Sequence, residues 1–506
     1  MILVPNSSSR LLRAALMVCA GALIAACSGL VDAPETQGGA QTSESNEAAL
    51  AIRTAGREMR DGNLAEAARL LDAALADEPG NPAIWVAIAR LRYRSGEHFG
   101  AIDAADRALE LGPSFAPALL MRGQLVRDAN GLSESLPWFE AAVAADPTHA
   151  EAVGEYAATL GDLGRFGEML DAVERLSELD RENEQGLYLR AVLAARAGEF
   201  VLAKSLLDRS GWRGAGVPSA MLLDAVIDIQ QGNADTAVET LAELSRLQPA
   251  NRRVRDLYAR ALWEAGRDEK LVSELSEVVE GPDASAYLTM LAGRAHERLG
   301  DREAAAPLIA KAYSKPDTDW HSLSDTGAIG GALAPQTAQI RSAIASGDEA
   351  SASGRAARFV DQFPQSADVL ALAGDAAFAN AEAAQAIENY SVSARVRKPW
   401  RLTQKLIVAS RQTGEDNAAN ALLTRYALGD PRNADAIIAL IEIARISEDW
   451  ERVVELTDYA ALLGSGQDPI VLNARLEAAQ ALGNDADAQR YESLLDAVRP
   501  PKLVRE

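Results

Sequence analysis

Apolar residues recur every three or four positions along most of this chain, in short runs separated by turn-forming residues. In the run from 63 to 77, one helical face would collect six apolar side chains: Leu64, Ala67, Ala68, Leu71, Ala74 and Leu75. This spacing matches the period of an amphipathic α-helix, about 3.6 residues per turn. The pattern therefore predicts a succession of helices, each with one face to bury.

Turn-forming residues divide these helices at a fixed interval. One series recurs every 34 positions and would separate the two helices of a pair: Gly62, Gly96, Asn130, Gly164, Gly198, Gly232, Gly266 and Gly300. A second series would follow the second helix of each pair: Pro79, Pro113, Pro147, Arg181, Ala215, Pro249, Pro282 and Pro316. Glycine tolerates the left-handed conformation that ends many helices, and proline cannot continue one. Each 34-residue unit is therefore predicted to be a helical hairpin.

The period is interrupted once, in a segment rich in Gly, Ser and Thr that follows Gly300. The turn series then resumes at Gly347, Ala381, Gly414, Glu448 and Gly483. Together the two series predict thirteen hairpins. The predicted segments are a first array at 47–316, an insert at 317–335, a second array at 336–497 and a tail at 498–506.

This pattern resembles the tetratricopeptide repeat, a helical hairpin of about 34 residues. Small residues such as Ala89 and Ala101 stand where paired helices would cross, and Trp85 supplies the large side chain near the start of a first helix. The run Ala-Leu-Glu-Leu-Gly-Pro at 108–113 matches the end of the family's second helix. The resemblance covers about residues 47–497 and implies an all-α fold, a right-handed α-solenoid that binds other proteins.

The N-terminus has the pattern of an export signal. Arg10 and Arg13 precede an apolar run, 14–26, which is shorter than the roughly 20 residues a membrane-spanning helix needs. The run ends Ile24-Ala25-Ala26-Cys27, which resembles the lipobox of bacterial lipoproteins. That resemblance implies a signal peptide at 1–26. It also implies that Cys27 is acylated.

The residues after Cys27 complete this prediction. Residues 27–46 are polar and lack helical periodicity, so we expect a flexible tether. Because Ser28 rather than Asp follows the cysteine, the resemblance to lipoproteins implies the periplasmic face of the outer membrane. An ordinary secretory signal with an accidental cysteine is the alternative.

Composition narrows the possible partners and the possible chemistry. The chain has 73 acidic and 50 basic residues and a formal charge of -23, so we expect no nucleic-acid partner, since phosphate binding needs a basic footprint. Cys19 and Cys27 are the two cysteines, and both precede residue 30, which leaves the helical body without a disulfide or a cysteine metal site. The sequence therefore predicts a fold held by apolar packing.

Recognisable catalytic motifs are missing from the sequence. The four histidines, His98, His149, His296 and His321, have no metal-ligand spacing, and the aspartic-protease-like triplet Asp-Thr-Gly at 325–327 occurs once instead of twice. We therefore predict no enzyme, no metal and no cofactor. A catalytic site in the insert or near 210–218 is the alternative from a different class. Trp320 in the insert is a candidate anchor for a partner, or else folds back on the stack.

In the family, the first helix of each pair lines an inner, concave wall. The inner-wall positions carry arginines and aromatic residues: Arg90, Tyr93, Arg94, Arg127, Tyr188, Arg196, Arg253, Arg260, Trp263, Tyr287, Arg294, Arg298, Arg401 and Arg411. Arginine binds carboxylates in a forked geometry, so this set predicts a groove for an extended acidic peptide or polymer. The alternative is ordinary solvated surface, with each arginine paired to a nearby acid such as Asp256, Glu264 or Glu297.

Together these features predict a non-catalytic scaffold lipoprotein of the bacterial cell envelope. The scaffold would mediate protein–protein interactions in the assembly or export of an exopolysaccharide, a pilus or outer-membrane proteins. A periplasmic binding module for sugar, peptidoglycan or an anionic polymer is the second hypothesis.

Overall fold

The computed structural model describes residues 46–249, 251–281, 284–314 and 334–498. Within these ranges the structure is all-α, with helices that pair into thirteen consecutive hairpins and no strand. The predicted signal peptide, Cys27, nearly all of the tether and the insert, and the tail after residue 498 lie outside the described residues. None of the described helices has the length and apolar character needed to cross a membrane.

The chain divides into two compact units, and each combines part of the first array with part of the second. The first unit has two described segments, 46–181 and 334–430. Its helices are α1 Asn46–Arg60, α2 Leu64–Asp77, α3 Pro82–Ser95, α4 His98–Leu111, α5 Ala116–Asn130, α6 Leu132–Ala145, α7 Ala150–Asp162, α8 Phe166–Leu179, α17 Ala334–Ala345, α18 Glu349–Gln362, α19 Ala367–Ala379, α20 Ala383–Ser393, α21 Trp400–Gln412 and α22 Asp416–Gly429.

The second unit comprises the described residues of 182–314 and 431–498. Its helices are α9 Glu184–Ala197, α10 Phe200–Arg209, α11 Pro218–Gln231, α12 Ala234–Leu247, α13 Arg252–Glu264, α14 Asp268–Glu280, α15 Ala286–Arg298, α16 Arg302–Ala312, α23 Ala434–Ile446, α24 Trp450–Ala460, α25 Pro469–Ala481 and α26 Asp485–Val498. A single π-helical turn, Ala461–Ser465, extends α24.

The turn series predicts the helix ends well. Residues at the predicted turns have positive φ, including Ala381 (φ 58°) and Glu448 (φ 56°), which are not glycine. One position is wrong by a residue. Helix α5 runs through Asn130, and Gly131 takes the unusual conformation with φ 95° and ψ -176°. Only glycine adopts this region readily, which is why the turn shifts by one position.

Glycines in first helices make room for large side chains in second helices. A Cβ atom on Gly123 would lie 2.6 Å from Phe139 Cε1, and one on Gly161 would lie 2.7 Å from Met169 Sδ. Phe139 and Met169 are both fully buried. The paired helices therefore pack closely around a bulky residue, as ridges-into-grooves packing requires.

In the first unit, turns of the first array pack against turns of the second. The Ala367 amide donates to His98 Nδ1 (3.1 Å), and the Lys398 amide donates to the Asp128 carbonyl (2.8 Å). Gly131 meets Gly429 so closely that a Cβ on Gly131 would lie 2.6 Å from the Gly429 carbonyl carbon. We call these contacts the seam of the first unit.

In the second unit, α13 and α15 meet α23 and α25. Arg252 pairs with Asp435 at 3.3 Å, and α15 packs against α25. Asp468 caps α25 by accepting from the Ile470 amide (2.8 Å), and its carboxylate acts electrostatically on Asp256 and Tyr287. These contacts form the seam of the second unit.

Candidate partner-binding surfaces

Two predicted groove residues of the first unit, Arg90 and Arg94, lie on α3. Arg90 Nη2 pairs with Glu151 Oε2 of α7 at 3.1 Å, and both side chains are partly exposed. Arg94 is exposed and donates from Nη1 to the Met59 carbonyl at the end of α1 (2.8 Å). Partial burial, followed by the charges of Arg60 and Arg90, lowers the pKa of Arg94. Three guanidinium groups therefore lie near one another on the first two hairpins.

Arg127 is a structural residue in this arrangement. Its Nη1 atom lies 2.5 Å from Glu155 Oε2, and the two side chains are 11% and 9% exposed. Burial alone would lower the pKa of Arg127, but the carboxylates of Glu155 and Asp128 outweigh burial and raise it. With its charge neutralised inside the protein, Arg127 is poorly placed to receive a ligand.

Tyr93 lies in the seam of the first unit. Its hydroxyl donates to Asp128, and its ring stands edge-on to His98 with the ring centroids 5.4 Å apart. Burial, and then the Asp128 carboxylate, raise the pKa of Tyr93 far above its usual range. The second array thus covers a position that the repeat pattern assigns to a groove.

In the second unit, three of the predicted arginines are paired locally. Arg260 contacts Glu264 (2.7 Å), and Arg294 contacts Glu297 (3.0 Å). Arg298 contacts Asp268 (3.3 Å) and stacks its guanidinium over the Trp263 ring. These contacts agree with the alternative prediction, in which the arginines are ordinary helix surface and each pairs with a nearby acid.

The remaining predicted positions of the second unit are partly or fully buried. Tyr188 is 1% exposed and stacks on Trp212 at 4.9 Å between ring centroids. Burial raises the pKa of Tyr287 to about 12. Burial, and then Arg432, lower the pKa of Arg196. Arg253 is half-buried, and within the described residues its Nε atom has no acceptor.

Cations are concentrated on α21 and in the loop that precedes it, and the repeat pattern singles out only some of them. Arg401 and Arg411, predicted as groove residues, lie half-buried on α21. The same helix follows a loop that carries Arg395, Arg397 and Lys398. The signal is present in the sequence, because no acidic residue occurs between Glu388 and Glu415 in a chain of charge -23.

An open cavity of about 310 Å³ lies between α6, α7 and α8. It is lined by Glu140, Val143, Ala144, Pro147, Tyr156 and Arg175. Among the described residues, no group of His, Cys, Asp and Glu is arranged to hold a metal ion.

Comparison with known families supports the repeat architecture. The family model described as Tetratricopeptide repeat matches residues 58–125, which run from the end of α1 through most of α5. A search of curated protein sequences gives no match. The described hairpins have the architecture of tetratricopeptide-repeat proteins.

Solved structures of such proteins are similar to parts of the chain. A tetratricopeptide repeat protein from Parabacteroides merdae is 18% identical over 53% of this chain and 93% of its own, with a TM-score of 0.29. PilW, a type IV pilus biogenesis factor, is 21% identical over 42% of this chain and 98% of its own, with a TM-score of 0.33. PilF of Pseudomonas aeruginosa is 18% identical over 42% of this chain and 97% of its own, with a TM-score of 0.35. At such low identities and TM-scores, these likenesses carry no argument about function.

Proposed function

We propose that this tetratricopeptide-repeat chain is a lipid-anchored, non-catalytic scaffold of the bacterial cell envelope that holds a partner protein during assembly or export. The observation that carries the proposal is the stack of helical hairpins, an architecture that presents extended surfaces to other proteins. The lipobox-like run ending at Cys27 supports the anchor.

The proposed partner contact is the arginine cluster of the first two hairpins, formed by Arg60, Arg90 and Arg94. Arg90 is already paired with Glu151, but the like charges of Arg60 and Arg90 still lower the pKa of Arg94, and a carboxylate-bearing segment beside Arg94 would relieve that repulsion. Arginine also favours carboxylates because its planar fork can donate two parallel hydrogen bonds. An extended acidic segment therefore fits this cluster best.

Capture from detergent-solubilised envelopes tests the contact. We expect Arg90→Ala with Arg94→Ala to reduce recovery of the main co-purifying protein about fivefold or more, since rim charges control association. Arg69→Ala with Arg107→Ala is the matched control, because it removes two exposed arginines from α2 and α4. Equal losses in both variants, or none in either, would reject the arginine cluster. The co-purifying protein then identifies the system as pilus, exopolysaccharide or outer-membrane protein assembly.

The anchor is tested separately by cell fractionation. Cys27→Ser should move the protein from the membrane to the soluble periplasmic fraction, since an acyl anchor gains about 0.8 kcal/mol per buried methylene. Cys19→Ser, within the predicted signal peptide that precedes Cys27, should leave the protein in the membrane. Membrane retention of the Cys27 variant would reject acylation and leave the scaffold proposal standing.

A further inference from the structure

The loop between α20 and α21, residues 394–399, is a cationic segment of the first unit. Its backbone turns through hydrogen bonds from the Arg395 amide to the Val392 carbonyl (3.2 Å) and from the Arg397 amide to the Ser393 carbonyl (3.1 Å). The Val396 side chain is 1% exposed and anchors the loop. The backbone of the loop is therefore held by hydrogen bonds and by one buried side chain.

Two contacts fix the loop against the rest of the unit. Arg397 Nη1 pairs with both carboxylate oxygens of Asp368 (3.1 and 3.2 Å), and the Lys398 amide donates to the Asp128 carbonyl. Asp368 is paired with Arg397, so it does not neutralise the charge on Lys398. The two contacts hold the backbone at Lys398 in place and leave its ammonium group outside any ion pair among the described residues.

Helix α22 adds a second cation beside this loop. Trp400, the first residue of α21, packs its ring against that of Tyr426 with 5.1 Å between centroids, and Arg425 precedes Tyr426. Burial, and then the charge of Arg425, lower the pKa of Lys398, so the two cations lie within electrostatic range. Within the described residues, neither Lys398 nor Arg425 forms an ion pair.

We propose that Lys398 and Arg425 form a second docking surface, which binds a carboxylate-bearing, extended acidic peptide segment. Arg425 is exposed and supplies the fork for a carboxylate, and Lys398 supplies a compact charge beside it. The surface costs little to organise on binding, because the loop is already held in place. It is separate from the arginine cluster on α1 and α3 and does not depend on that cluster binding a partner.

Fluorescence anisotropy with a labelled ten-residue polyglutamate peptide tests this surface on the full chain. We expect Lys398→Ala with Arg425→Ala to raise the Kd about tenfold, as for loss of two charge-assisted contacts. Arg190→Ala with Arg246→Ala is the matched control, since it removes two exposed arginines of the second unit. Circular dichroism checks that all variants keep the helical content of the parent.

The outcomes separate this surface from the alternatives. A weakened Lys398/Arg425 variant with an unchanged control supports it. No binding by the parent chain, or equal weakening in the control, overturns it. Weakening confined to Arg94→Ala would assign the peptide to the first two hairpins and also overturn it. Binding to vesicles rich in phosphatidylglycerol but not to the peptide would show a lipid surface instead.

Discussion

Arg90 and Glu151 form an ion pair although 61 residues and a whole intervening hairpin separate them in the sequence. The atoms Arg90 Nη2 and Glu151 Oε2 lie 3.1 Å apart, which joins the first helix of the second hairpin to the first helix of the fourth. The inner wall of these hairpins is therefore curved tightly enough for its own side chains to meet. Consequently, part of the charge on the wall is neutralised within the unit.

The Arg127–Glu155 pair should be far more important for stability than an exposed pair. Arg127→Ala leaves the Glu155 carboxylate buried without its partner, which typically costs about 3–5 kcal/mol. Urea unfolding followed by circular dichroism measures the change. Arg69→Ala, which breaks the exposed pair with Glu66, should leave the midpoint unchanged. Equal midpoints for the two variants would mean that Arg127 is solvated in solution.

The close approach of Gly131 and Gly429 predicts a position that tolerates no side chain. Gly131→Ala would force alanine into a glycine-only conformation and against the Gly429 backbone, so we expect a loss of about 2–4 kcal/mol. Gly62→Ala is the control, since Gly62 has φ 83° but open space around its Cβ position. Its expected loss is about 1 kcal/mol, the strain of a left-handed residue. Similar losses for both would show that the turns do not touch.

Local periodicity explains how much of the fold the sequence predicts. Phase alone predicts turns at Ala381 and Glu448, and both residues have positive φ because the helices on either side require it. Periodicity says nothing about contacts between distant turns. His98 and Ala367, 269 residues apart, meet in a seam that no repeat pattern encodes.

The candidate site was predictable to the same limited extent. The repeat phase places Arg90 and Arg127 on first helices, but their acidic partners depend on how neighbouring hairpins curve. The repeat pattern does not single out Lys398 or Arg425, because one lies in a loop and the other on a second helix, outside the inner-wall positions. A count of charges by segment would have found the loop, since it lies in a stretch without acids.

His98 should make the first unit less stable in acid. Its Nδ1 atom accepts from the Ala367 amide, so that nitrogen carries no proton in the fold. Burial, together with the charge of Arg397, lowers the pKa of His98 and outweighs the opposing effect of Asp368 and Asp128. The unfolded chain takes up this proton at about pH 6.5, so the stabilisation is complete above that pH and is lost as the pH falls below it.

Hydrogen exchange in the segment 363–370 measures this effect, because the segment contains the Ala367 amide. Protection corrected for intrinsic rates should fall between about pH 7.5 and about pH 5. His98→Asn keeps an acceptor oxygen but does not titrate, so its protection should depend less on pH. An identical pH dependence in the parent and in this variant would remove His98 as the cause.

Asp468 should make the second unit more stable in acid, which is the opposite of the effect of His98 on the first unit. Burial raises its pKa to about 6 from 3.8; the Ile470 amide and Arg252 oppose the rise, and Asp256 and Asp435 add to it. The folded protein therefore binds this proton at a higher pH than the unfolded chain does. The free energy of unfolding therefore increases as the pH falls through about 6, and it decreases when the pH rises back through about 6.

Replacing Asp468 by asparagine tests this direction, because asparagine keeps the acceptor for the Ile470 amide but carries no charge. At about pH 7.5 the variant should be roughly 1–3 kcal/mol more stable than the parent, and near pH 4 the difference should vanish. Protection of the α25 amides from hydrogen exchange reports the second unit specifically. If acid weakens α25 in the parent, the buried carboxylate must be stabilised by its partners and the sign derived for Asp468 is wrong.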